Sequence, residues 1–110
     1  MDNDDNESYV HTMRLPIGTM EVLYPKDVEI LGVKLRGMRN RPVVLVRTSL
    51  VEMGKMSRTV RGLPVMYAVD PKKRWITVWP APLQNYELLV ELKPLDDVVT
   101  SPAVVGGDGG

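Results

Sequence analysis

The 110-residue chain contains no cysteine and no phenylalanine. Without cysteine there can be no disulfide, no thiolate metal ligand and no cysteine nucleophile. That absence is compatible with a reducing compartment. Without phenylalanine the core must be aliphatic, with Trp75, Trp79, Tyr67 and Tyr86 as its large pieces. Seven methionines make such a core somewhat plastic. Net charge is missing too, because 14 Lys and Arg balance 14 Asp and Glu. A uniformly basic surface, the usual footprint of a nucleic-acid binder, is therefore not indicated. No run of 18 apolar residues occurs, so no membrane-spanning helix and no membrane partner are expected. The start, MDNDDNESYV, is acidic where a signal peptide would be basic and then apolar. The expectation is a product of the cytoplasm that no cleaved signal exports.

The length suits one domain that buries a modest core. Residues 1–8 read as a flexible acidic arm, 9–100 as a single β domain, and 101–110 as a flexible tail with four glycines in its last five positions. Val10–Leu15 reads as a first strand ending at Pro16, and Thr19–Leu23 as a second closed by Tyr24-Pro25. Within Val28–Arg36, Val28 and Ile30 alternate, and then Leu31, Val33 and Leu35 alternate in the opposite phase. One extra residue flips the facing of everything after it, so the switch beside Gly32 predicts a β-bulge. Gly37–Asn40 reads as a turn, and Pro42–Arg47 as a strand covered on both faces.

Thr48–Met56 is the one helical stretch, with Thr48 or Ser49 as N-cap. Glu52 three residues after Ser49 matches a capping box, and Gly54 limits the helix to about two turns. Ser57–Val60 reads as a linker or short edge strand. Three apolar runs follow, Pro64–Val69, Arg74–Val78 and Tyr86–Leu92. Asp70–Lys73 punctuates the first gap and Pro80–Asn85 the second, so antiparallel strands joined by hairpin-like loops are expected. The fold class is all-β: a small antiparallel sandwich or barrel with one short helix near residues 48–56.

Side-chain chemistry is sparse. His11 is the sole histidine and lacks companions at metal-ligand spacing, so it reads as a solvent-facing strand or arm residue. Asp2, Asp4, Asp5 and Glu7 lack the glycine turn and terminal Glu of a calcium loop. Asp96 and Asp97 are strand neighbours that point to opposite faces. No serine sits in a G-x-S-x-G elbow, and neither glycine-rich phosphate motif occurs. No catalytic, metal or cofactor-binding residue is therefore assigned, and no cofactor is expected. Basic residues cluster at Arg36, Arg39, Arg41 and Arg47, at Lys55, Arg58 and Arg61, and at Lys72, Lys73 and Arg74. They suit phosphates or an acidic partner, and equally suit ordinary turns and edges. Trp75 and Trp79 share one strand face, with Ile76 and Val78 on the other. That face is either core or a subunit interface.

The order Pro-Val-Met-Tyr-Ala-Val-Asp, Arg-Trp-Ile-Thr-Val-Trp-Pro-Ala-Pro and Asn-Tyr-Glu-Leu-Leu-Val-Glu-Leu-Lys-Pro resembles the β domain of head–tail adaptor (connector, or neck) proteins of tailed bacteriophages. The upstream stretch Met13–Val43 is similar to the first half of that domain, so the resemblance covers about Arg14 to Pro94. The long helical part typical of those adaptors is missing here. The resemblance implies a non-enzymatic virion protein, made in the host cytoplasm, that forms a ring around the DNA channel. Its implied partners are copies of itself, portal, adaptor or tail subunits, and packaged DNA without sequence preference. Capsid decoration, a tail role, or a peptide- or nucleic-acid-binding module are the alternatives. The interface residues expected on this reading are Trp75, Trp79, Tyr67, Tyr86, Arg39, Arg41, Lys72 and Lys73.

Overall fold

Side chains alternate across a strand, so the buried positions show which way each strand faces. In a computed structural model that describes residues 7–37 and 41–95, ten short strands and one helix follow each other. They are β1 (Tyr9–Leu15), β2 (Glu21–Leu23), β3 (Val28–Arg36), β4 (Val43–Val44), β5 (Val46–Arg47), α1 (Leu50–Gly54), β6 (Arg61–Gly62), β7 (Met66–Asp70), β8 (Trp75–Trp79), β9 (Ala81–Pro82) and β10 (Tyr86–Pro94). One four-stranded sheet has the order β1-β10-β3-β4 and a second the order β2-β8-β7-β5. Leu15, Ile30, Val33, Leu35, Leu88, Val90 and Leu92 from the first sheet join Tyr67, Ile76 and Val78 from the second in one buried cluster. Two sheets that share one core make a small sandwich, and the all-β class expected from the sequence is the one observed. The pairings β5–β7 and β6–β9 are parallel, which the sequence did not suggest.

The bulge is present in β3. Gly32 faces Glu91 and Ile30 faces Leu92, so Leu31 has no partner on β10. Leu31 is 43% exposed, while Ile30, Val33 and Leu35 are all buried. Leu31 is thus the inserted residue itself, not the first member of the second inward set. A Cβ built on Gly32 would meet nothing within 4 Å. The hydrophobic phase, and not room for a glycine, therefore sets the bulge.

Several expectations are corrected. The segment 42–47 is not one strand covered on both faces. Val43 and Val44 pair with β3 in the first sheet, and Val46 and Arg47 pair with β7 in the second. Leu45 alone turns inward, while Val43, Val44 and Val46 are 44%, 67% and 66% exposed. The chain changes partners in mid-run: the Leu45 N–H donates to Val33 O and the Val46 N–H to Val65 O, each at 3.0 Å. The strand after the helix is Arg61–Gly62 and not Ser57–Val60. His11 is half-buried on the core side of β1, opposite Val90. The second expected hairpin is absent as well. β7 and β8 form a hairpin, but β10 lies in the other sheet between β1 and β3. The chain crosses between sheets after the cis Trp79–Pro80 peptide and through β9. Residues 38–40 of the expected Gly37–Asn40 turn lie outside the described residues, as do Asp96, Asp97, the tail and the first six positions of the arm.

The helix begins as expected. The Ser49 Oγ accepts the Glu52 N–H at 3.1 Å. The Glu52 carboxylate binds Lys55 Nζ at 3.2 Å, so only half of the capping box forms. Met53 is the buried residue of α1, and the helix packs on β7. Ala68 and Thr77 oppose each other across β7 and β8 on the side away from the core, yet both are buried. The α1 crossover lies over that outer face.

Leu88 is fully buried at the centre of the cluster. Leu88→Ala is expected to destabilise the fold by about 2–5 kcal/mol. Leu31→Ala is expected to cost no more than about 0.5 kcal/mol. Urea midpoints at unchanged slope measure both.

Candidate functional site

The β7–β8 turn is built by its own residues. The Asp70 Oδ1 accepts the backbone N–H of Lys72 at 3.1 Å and of Lys73 at 3.3 Å. This side-chain turn, with Pro71 fixing its own φ, presets the reversal. Arg74 completes it in the left-handed region at φ 58. Its guanidinium Nη1 donates to Tyr24 O at 3.1 Å, and the Tyr24 N–H donates to Arg74 O at 2.9 Å. The turn is thereby clamped to the β2–β3 connection. Asp27 there has φ 61, and its carbonyl accepts the Leu95 N–H at 3.0 Å.

Three segments thus meet at one end of the sandwich. They enclose an open groove of about 350 Å³, whose walls include Tyr24, Lys26, Asp27, Lys72, Arg74 and Leu95. Lys73 sits beside it with Nζ 5.0 Å from the centre of the Trp75 ring. That distance is within cation–π range. Trp75 is 37% exposed, and its cross-strand neighbour on β2 is the exposed Leu23. The end of the molecule combines cations, one accessible indole and a small apolar surface.

The expected interface residues do not gather in one place. Trp75, Lys72 and Lys73 come together here. Trp79 is half-buried at the far end of β8 and donates Nε1–H to Ser57 O at 2.8 Å. Arg58 Nη2 reaches the Glu21 carboxylate at 2.9 Å, which ties the same segment across to β2. Neither tryptophan belongs to the core cluster. β8 turns Ile76 and Val78 inward, so the Trp positions must face out. Tyr67 is only 2% exposed and is a core residue. It offers no surface to a partner, which corrects its place in the expected interface. The Arg47 guanidinium lies 5.9 Å from the centre of its ring, and Nη1 donates to Ile30 O at 3.1 Å. Tyr86 packs against the core and its hydroxyl accepts from Gln84 Nε2 at 2.8 Å. Arg41 is exposed just before β4, and Arg39 lies outside the described residues.

Sequence reasoning missed this loop: Tyr24-Pro25 read only as the close of a short strand, and Lys26 and Asp27 carried no signal. Local sequence carries no sign that this loop meets the Asp70–Arg74 turn, because the meeting depends on two sheets facing each other. Among the described residues no three His, Asp or Glu side chains are grouped to hold a metal. No helix among them is long and apolar enough to cross a membrane. No protein-family model matches the chain, and no curated protein matches it.

Burial raises the Tyr24 pKa above its ordinary 10.0, and the Asp70 carboxylate adds to the rise, while Arg47 and Arg74 oppose it. Folding therefore favours the neutral phenol. Below pH 10.0 both states hold the proton and stability is at its full value. Above it the unfolded chain ionises first, so stability falls as pH rises towards the folded-state pKa. Tyr24→Phe keeps the ring, removes the proton and is expected to flatten this decline in alkaline urea titrations. The two tryptophans give a second check. The Trp79→Phe variant, which reports Trp75 alone, is expected to be quenched more strongly by acrylamide than Trp75→Phe. Equal quenching would contradict the burial difference.

Proposed function

We propose that the chain is a non-enzymatic structural virion protein of a tailed phage, a head–tail adaptor or neck-type component that assembles as a ring through subunit interfaces. The observation that carries this reading is the pair of apolar sandwich edges. At one side β4 borders the first sheet and β5 the second, and Val43, Val44 and Val46 are exposed along them. At the other side β1 and β2 are the borders, with Val10 and Leu23 exposed. Edge strands offer unpaired backbone groups, and charged residues usually guard them. Here Val43, Val44 and Val46 fill β4 and β5 except for Arg47, while β1 and β2 carry Arg14 and Glu21 beside Val10 and Leu23. Two different patches on opposite sides make a head-to-tail contact, and such contacts generate rings when the rotation closes. The resemblance of Arg14–Pro94 to adaptor β domains points the same way. The reading places the protein in the virion, beside portal, adaptor or tail subunits.

A second reading rests on the basic groove and the exposed Trp75. Cations beside an accessible indole suit single-stranded nucleic acid or an acidic peptide. Salt-dependent DNA binding by the isolated chain would favour it.

Mass spectrometry of purified particles of the encoding phage is expected to find the protein, and its absence would sink the virion reading. Replacing Val44 and Val46 with lysine is expected to weaken self-association by about tenfold or more, since each buried valine is worth about 1.5 kcal/mol or more. Sedimentation equilibrium measures this, and an unchanged constant would remove these edges from the interface.

A further inference from the structure

We propose that the groove end of the sandwich binds single-stranded nucleic acid, with one base stacked on Trp75 and the adjoining phosphates held between Tyr24–Val28 and Pro71–Arg74. This assignment rests on the groove taking an anionic chain, and it holds with or without the virion role. Charge gives the first part of the ligand. The whole chain balances 14 cationic against 14 anionic side chains. At this end, however, Lys26, Lys72 and Arg74 line the groove with Lys73 beside them, against Asp27 on the wall and Asp70 in the turn. Asp70 Oδ1 already accepts two backbone N–H groups. Among the described residues Lys26, Lys72 and Lys73 are in no ion pair. Arg74 gives Nη1 to Tyr24 O and keeps its other donors for a phosphate. Phosphates of any sequence are drawn to such a local surplus.

The indole gives the second part. An acidic peptide satisfies the lysines and leaves the ring idle, whereas every nucleotide brings a flat base to it. Trp75 is 37% exposed and follows Arg74 in the chain, so the stacking surface and the phosphate cradle are one residue apart. Lys73 Nζ lies 5.0 Å from the ring centre. A base stacks on an indole more strongly than an exposed ammonium does. The base therefore displaces Lys73, and the freed ammonium turns to the next phosphate. The exposed Leu23, opposite Trp75 on β2, widens the platform with apolar surface. Shape favours one strand over two. The β7–β8 turn is clamped to the β2–β3 connection, so it does not stand out as the two-stranded ribbon that a major groove admits. A groove of about 350 Å³ is at the small end of ligand pockets and fits a single backbone. Pro25 and Pro71 in its walls hold its form before the ligand arrives, which lowers the cost of ordering.

The probe is a fluorescein-labelled oligothymidylate of about 10 nucleotides, within the usual span of single-strand sites, followed by anisotropy with the full chain. Three lysines on phosphates give a log–log salt slope of about −2, so binding is expected to weaken about twentyfold between about 50 mM and about 200 mM salt. Changing Lys26, Lys72 and Lys73 together to Gln is expected to remove most of that slope. Trp75→Leu is expected to weaken binding by about tenfold, and Trp75→Tyr, which keeps a ring, to recover most of the loss. In the Trp79→Phe chain the unlabelled oligonucleotide is expected to quench the emission of Trp75. Four results would overturn the proposal. One is no binding of the oligonucleotide at low salt. A second is equal affinity for the same strand in a duplex. A third is unchanged affinity in Trp75→Leu with Trp75 unquenched, which leaves charge alone as the cause. The last is a loss in Trp75→Leu that Trp75→Tyr does not recover, which assigns the loss to folding. A glutamate peptide separates this assignment from the reading beneath it. If the peptide binds through the same lysines and the oligonucleotide does not, the groove remains an anion site and only the nucleic-acid assignment falls. If neither binds, both fall.

Discussion

The insertion of Leu31 into β3 is the constraint on which the rest of the sandwich depends. β3 is nine residues long and pairs with β10 along its whole length. Without the extra residue, either Ile30 or the Val33–Leu35 pair would face water. With it, Ile30 lies beside Leu92, Val33 beside Val90 and Leu35 beside Leu88, and all six are buried. The same register fixes where β3 begins and β10 ends, at Val28 and Pro94. Those two points carry the Asp27–Leu95 hydrogen bond. The groove at that end is thus a geometric consequence of one unpaired leucine in the first sheet.

How much the sequence disclosed depended on the range of the interaction. Alternation within Val28–Arg36 exposed the bulge, because facing is a local property. Ser49 and Glu52 marked the helix start, and Asp70-Pro71 marked the turn, for the same reason. The division of 42–47 between two sheets left no local trace. Six apolar residues look alike whether they lie in one buried strand or straddle two edges. The choice of β10's partners was equally hidden, since Pro80–Asn85 resembles a hairpin loop as well as a crossing. Of the groove, Lys72 and Lys73 were legible as a basic turn. Tyr24, Lys26 and Asp27 became visible only once the two sheets faced each other.

The aromatic residues show how a core without phenylalanine is managed. The interior is mostly Leu, Val and Ile, and it takes in Tyr24 and Tyr67. Both tryptophans are left on the outer face of the second sheet. There Trp79 is held by Ser57, and Trp75 by Lys73 stacked on its ring. An aliphatic interior suits short strands, whose few inward positions must fit closely. Large rings on the outside are then free to cover the crossover or to stay accessible.

Leu45 carries a mechanical implication. The five residues from Val43 to Arg47 belong to both sheets, with a single buried side chain as the pivot between them. Neither sheet can peel from its partner along that side without breaking backbone hydrogen bonds in the other. On the groove side, Tyr24 and Arg74 extend the β2–β8 pairing by two more hydrogen bonds and so stiffen the end of the second sheet. A sandwich whose sheets share one stretch of chain along a border resists shear between its layers there.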